Sequence, residues 1–258
     1  MDLPTTLEFE TRGDIALLTL NRVDKRNALN DELVQGLENF FRRIPEGIKA
    51  IVLAAKGDNF SAGLDLSDIV ERSTIEGVKH SMGWHRAFEL IEFSPVPVIC
   101  VLKGAVVGGG LELASATHIR IAEDSTYYSL PEGQRGIFVG GGASVRVPRL
   151  VGVSVMTDMM LTGRLFNADE GAQLGLSSYR VANGEGLDKG LELARKVADN
   201  SPMTNFAVIQ ALPRIAESNP GQAFMMESMM AAIAQGSDEA KEKLRAFLEK
   251  RAKKVTEF

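Results

Sequence analysis

The sequence predicts an α/β fold followed by a helical C-terminal region. Short apolar runs at 15–20, 50–54, 95–102 and 119–122 alternate with segments of helical period, as parallel strands joined by crossovers do. After about residue 182 no convincing strand remains, and four helical-period stretches follow one another. Of the 258 residues, 45% are apolar and 24% charged, which is ample for a large core in one domain or in a domain with an appendage.

Taken in order, 7–10 and 15–20 read as a hairpin around Gly13-Asp14, and 21–27 as a charged loop. Asn30 is an N-cap, with Asp31 and Glu32 in the first helical turn. Leu33, Leu37, Phe40, Phe41 and Ile44 repeat at helical spacing until Pro45 and Gly47 stop them. A strand at 50–54 leads into a loop at 56–63 that ends in FSAG. The strand at 95–102 feeds a glycine-rich stretch. Beyond it, 119–122 and 127–130 read as strands, and 136–142 as a loop punctuated by four glycines. Helices are expected at 145–150, 155–161 and 169–174, and a strand at 178–181. The last helices are expected at 187–198, 204–215, 222–234 and 238–254. There is no repeat of 20–50 residues and no low-complexity segment.

Several chemistries find no motif here. GxxxxGK[ST], GxGxxG, GxSxG and HExxH are all absent. His80, His85 and His118 make no metal-ligand pattern. His80 and His85 read as surface or pocket-wall residues, and His118 as structural. Cys100 is the only cysteine, which excludes an intrachain disulfide, and its apolar neighbours mark it as an inert core thiol. The net charge of −5 argues against a nucleic-acid footprint over the whole surface. The first ten residues lack the basic and apolar regions of a signal peptide, and no apolar run nears ~20 residues. A reduced, cytoplasmic setting is the expectation.

The stretch GAVVGGGLELAS at 104–115 is the organising feature. Three adjacent glycines are costly to order, so they imply that backbone must come very close to something. A strand, a glycine turn and a helix start would present free N–H groups to an anionic oxygen. Glu112 would sit in the first turn, where the helix dipole favours its charge.

This stretch resembles the glycine–glutamate signature of the crotonase, or enoyl-CoA hydratase/isomerase, family. LPEGQRGIFVGGGASVRVPRLVG resembles the family's second signature, and Glu112 and Glu132 stand twenty residues apart, as paired hydratase glutamates do. TLNRVDKRNALN, FSAGLDLSD, LTGRLFNADEGAQLGL and AFLEKR are similar to further family segments, in order along nearly the whole chain.

The resemblance implies a crotonase (ClpP/crotonase-like) fold of repeated ββα units in two roughly perpendicular sheets. Residues 1–182 would form the core with the active site, and 183–258 a helical region for trimerisation and CoA capping. The implied reaction adds water across the 2,3 double bond of a 2-enoyl-CoA, with no metal or redox cofactor. Coenzyme A would belong to the substrate. The N–H groups of Ala62 and Gly109 would form the oxyanion hole, each such donor being worth roughly 3–4 kcal/mol in rate. Glu112 would act as base on the water and Glu132 would protonate Cα, the pair sharing one proton. Gly140 would seat the water. Lys25, Arg26, Ser61, Ala62, Asp65 and Leu66 would contact CoA, together with Phe247 and Lys250 of a neighbouring subunit.

Plainer alternatives stay open for some of these. Lys25 and Arg26 also fit a solvated loop. Trp84, Phe88 and Phe138 fit either an acyl pocket or ordinary core. The methionines at 225, 226, 229 and 230 fit a subunit contact or core filler better than an acyl pocket. The basic run at 250–254 also fits a solvated helix end. Val23 and Val139 stand where the family often has proline, and Gly133, Gln134 and Arg135 where it commonly has apolar residues. Val139 and the 133–135 changes bear on substrate preference. Rival activities on the same scaffold are isomerase, hydrolase, or hydratase for a methylthioacryloyl or aryl-propenoyl group. A rival of another class is a non-catalytic scaffold binding acyl-CoA or RNA.

Overall fold

A computed structural model describes residues 3–68, 73–249 and 251. Strands β1 (Leu7–Arg12) and β2 (Ile15–Leu20) form the expected antiparallel hairpin. Strands β3 (Ala50–Ala55), β4 (Val98–Leu102), β6 (Ile119–Glu123) and β9 (Tyr179–Val181) then add in parallel, in the order β1-β2-β3-β4-β6-β9. A second sheet holds β5 (Ala105–Val107), β7 (Tyr127–Ser129) and β8 (Phe166–Asn167).

The central strands are apolar on both faces because both faces are covered. Ala16, Leu18, Ile51, Leu53, Val98 and Cys100 point into the larger core. That core is capped by α1 (Asp31–Arg42), α2 (Thr74–Glu92) and α3 (Gly109–Ser115). Ile15, Leu17, Val52, Ile99 and Val101 alternate to the other face, under α7 (Gly186–Ala198). Between these lie α4 (Ala143–Val151), α5 (Val153–Thr162) and α6 (Ala168–Leu174). Past β9 the described chain is helical. It runs through α8 (Pro202–Phe206), a π segment (Ala207–Ala211), α9 (Leu212–Glu217), α10 (Pro220–Gly236) and α11 (Asp238–Leu248). Among the described residues no helix is long and apolar enough to cross a membrane.

Asn30 caps α1 through a 3.1 Å bond from the Leu33 N–H, as the sequence suggested. Cys100 is fully buried and its thiol is pushed up to about 12 by desolvation. His118 is structural: its Nδ1 accepts from the Val98 N–H at 2.8 Å and its Nε2 donates to the Glu92 carbonyl at 3.0 Å. Three elements have no counterpart in the sequence reading, one of them the two-residue β8, which pairs antiparallel with β7. The nineteen-residue α2 fills a stretch left as polar, although Ser73 and Glu76 form a full capping box at its start. Strand β5 lies inside the glycine-rich stretch and pairs with β7.

Candidate active site

Each glycine of the 108–110 run is fixed by a different neighbour. At Gly108, where φ is +51°, a Cβ would stand 2.6 Å from Glu132 Oε1. At Gly109 it would meet Trp84 Cζ3 at 2.9 Å, and at Gly110 the Ser61 carbonyl at 2.6 Å. The turn can therefore approach a carboxylate, an indole edge and a second backbone segment at once. That segment, 61–64, runs beside β5, with Ser61 donating to Ala105 and accepting from Val107.

Glu112 projects from α3 and is buried. Its Oε1 accepts from the N–H groups of Gly141 at 2.7 Å and Ala143 at 3.2 Å. Burial raises its pKa; the Ala143 and Gly141 N–H groups, the Arg146 charge and the Gly140 N–H oppose the rise. Arg146 also steadies the loop, donating from Nη1 to the Gly141 carbonyl at 3.1 Å and from Nε to Glu92 at 2.7 Å. Glu132 precedes a 3₁₀ turn (Gly133–Arg135) and is buried, and its Oε2 has no hydrogen-bond partner. Desolvation, with the Glu112 charge adding to it, lifts its pKa to about 7. The N–H bonds favour the anion at Glu112, whereas the bare oxygen favours the acid at Glu132.

Both carboxylates open onto one cavity of about 600 Å³. Its apolar walls include Leu64, Val78, Trp84, Ile137 and Phe138, and Gly109, Gly140 and Gly141 also line it. A second groove, of about 270 Å³, shares Leu64 with the first and is lined by Lys25, Arg26, Ala62, Asp65 and Leu66.

Residues 10–257 match the enoyl-CoA hydratase/isomerase family. The chain belongs to that family.

Among its relatives, it is 31% identical to the short-chain-enoyl-CoA hydratase of Clostridium acetobutylicum, over 94% of each chain. A solved structure from Rhodopseudomonas palustris, provisionally named an enoyl-CoA hydratase, is 57% identical, with 96% of each chain covered and a TM-score of 0.93. The enoyl-CoA hydratase structure from Bacillus anthracis is 27% identical, covering 95% of this chain and 97% of the other, with a TM-score of 0.89. These likenesses carry the fold, a crotonase architecture with a helical C-terminal region.

Within the family's frame, several expected residues fall elsewhere. The Ala62 N–H is not free: it donates to the Arg26 carbonyl at 3.0 Å. The neighbouring backbone explains why. Leu64 bridges Leu29 in parallel, a pairing that uses the Gly63 carbonyl and the Asp65 N–H. The Leu64 N–H is thereby turned the other way, and its nitrogen lies 3.4 Å from where a Cβ on Gly109 would stand. Neither the Leu64 nor the Gly109 N–H has an acceptor among the described residues. Leu64 and Gly109 thus form a free donor pair among the described residues, and the positive φ of Gly63 (+93°) is the backbone turn that separates Leu64 from Ala62.

Ser61 is fully buried, with its hydroxyl accepting from the Gly63 N–H at 3.2 Å, so it shapes the loop instead of lining the groove. Asp65 lines the groove but is held by Ser67 and by Arg22 at 2.6 Å, which keeps its carboxyl at about 2. Phe88 is fully buried and packs edge-on against Trp84 at 5.6 Å, so it belongs to the core and not to the cavity. Trp84 has its indole edge on the cavity wall, and Phe138 is exposed at the cavity. His80 and His85 also line it, His80 bonded to Asp31 at 2.7 Å. Phe247 is exposed on α11 and lines neither opening. Lys250 lies outside the described residues.

Proposed function

We propose that this chain hydrates a 2-enoyl-CoA thioester to a 3-hydroxyacyl-CoA. The carrying observation is one cavity holding two buried carboxylates of opposite character, Glu112 on backbone donors and Glu132 with a bare oxygen. Glu112 takes a proton from water as the water oxygen bonds to C3. The double-bond electrons move toward the thioester oxygen, where the Leu64 and Gly109 N–H groups receive the charge. Glu132 then gives its proton to C2, and transfer between the two glutamates resets the site. The backbone at Gly140 would help to seat the water. A lone carboxylate could shuttle a proton between carbons; two around one water favour hydration over isomerisation.

Every group the reaction needs is a side chain or a backbone N–H, and coenzyme A enters as part of the substrate. Lys25 and Arg26 would meet its phosphates. The assembly we propose is a homotrimer, alone or paired into a hexamer, in the cytoplasm. It is supported by the exposed apolar side chains of α10 and α11, among them Phe224, Met225, Met229 and Phe247. Phe247 would then serve a neighbour's CoA site.

The test follows loss of the 2-enoyl thioester absorbance with crotonyl-CoA. Glu112→Gln and Glu132→Gln should each lower kcat by about 10²–10⁴ while both proteins remain folded. Retained hydration in either variant overturns the two-carboxylate mechanism.

A further inference from the structure

We infer that Arg135 is a substrate-binding residue of this chain that grips a phosphate of the coenzyme A moiety from across the smaller groove; this rests on the acyl-CoA reading above. Three residues after Glu132 depart from the family's usual apolar pattern, and the structure accounts for two of them by packing. A Cβ on Gly133 would collide with the Met160 carbonyl. Gln134 donates to the Thr162 carbonyl at 2.7 Å and covers Gly163, strapping the turn to the end of α5. Arg135 does neither. Its side chain is exposed, makes no hydrogen bond or ion pair among the described residues, and is the contribution of this turn to the groove beside Lys25 and Arg26.

Geometry explains how one turn serves two openings. Side chains three residues apart eclipse on a 3₁₀ turn, so Glu132 and Arg135 leave it on the same side. Glu132 enters the reaction cavity, Arg135 the adjoining groove, and Leu64 divides the two. The charge balance of the groove points to an anion. Asp65 is neutralised by Arg22. Within the groove that leaves Lys25, Arg26 and Arg135 against Asp24, with Glu132 as the one further acid that Arg135 feels, in a chain whose net charge is −5. A guanidinium presents a planar fork that matches phosphate oxygens bidentately.

Calorimetry with free coenzyme A, and with pantetheine as the phosphate-free probe, tests this on the full chain. Arg135→Met keeps the length and removes the charge. It should weaken coenzyme A by about tenfold and leave pantetheine unchanged, with Arg135→Lys falling between. Equal losses for both probes would mean that Arg135 acts through the shape of the turn, and no loss for either would mean that it faces solvent; both results overturn the assignment. Wild-type protein that binds no coenzyme A overturns the functional reading itself, a failure distinct from an indifferent Arg135→Met.

Discussion

Gly140 and Gly141 are adjacent, and the structure assigns them opposite tolerances to one added methyl group. Neither has a positive φ, so alanine is compatible with both backbones. At Gly140 the nearest atom to a new Cβ is Ser81 Oγ at 3.7 Å, an ordinary contact. At Gly141 the Cβ would stand 2.6 Å from Glu112 Oε2, 2.9 Å from its carboxyl carbon and 3.1 Å from Trp84 Cε3. Restoring an ordinary separation of about 3.5 Å displaces the carboxylate by about 0.9 Å. The indole crowds the same methyl group, and moving the carboxylate away strains its bond from the Gly141 N–H at 2.7 Å. A displacement near 1 Å in a reacting group costs about 10² in rate. Gly141→Ala should therefore lower kcat for crotonyl-CoA hydration by about 100-fold with KM held within about threefold, because the groove beside Lys25 and Arg26, proposed for the coenzyme, is untouched. Gly140→Ala should stay within about threefold in both, its steric cost being slight. Equal damage from the two substitutions, or none from Gly141→Ala, would refute the claim that this loop aims Glu112.

The remaining predictions concern stability and chain-length preference. Glu132 has its folded pKa raised from 4.5 to about 7, so its proton stabilises the fold fully below about pH 4.5, and that contribution is lost as pH rises through 7. Glu132→Gln should thus be more stable than wild type at about pH 8, by roughly 3 kcal/mol at most, with the gain vanishing near pH 4.5 in urea titrations; a pH-independent difference would sink the linkage. Phe88→Ala should cost about 3–5 kcal/mol in the same titration, as a core truncation does. Phe138→Ala should change stability by no more than about 0.5 kcal/mol while shifting the ratio of kcat/KM between long and short enoyl thioesters; an unmoved ratio would remove Phe138 from the acyl site.

What could be read in the sequence depended on how local the cause was. Strands β2, β3 and β4 were legible because burial on both faces leaves an unbroken apolar run that needs no partner to identify it. Helix α2 was not, because its apolar residues serve two surfaces. Ala87, Phe88 and Ile91 face the core while Val78 and Met82 line the cavity, so no single stripe emerges. Its capping box was the one local sign. Strand β5 has three residues and exists because Ser61 and β7 flank it, a pairing no window around 105–107 contains.

The candidate site divides along the same line. Motif spacing was enough to bring Glu112 and Glu132 to one cavity, since each sits on its own short element. The choice between Ala62 and Leu64 as a free donor was beyond it. They stand two residues apart on either side of Gly63, and which N–H is spent depends on Arg26 and Leu29, residues of another loop. The glycine run makes the stronger case. Its three members are excluded from carrying a Cβ by Glu132, Trp84 and Ser61, which belong to three separate segments. A triple glycine in sequence announces a close approach without saying to what. Only the fold supplies the carboxylate, the indole and the backbone that make each position intolerant for its own reason, and this is why substitutions at neighbouring glycines here should fail differently.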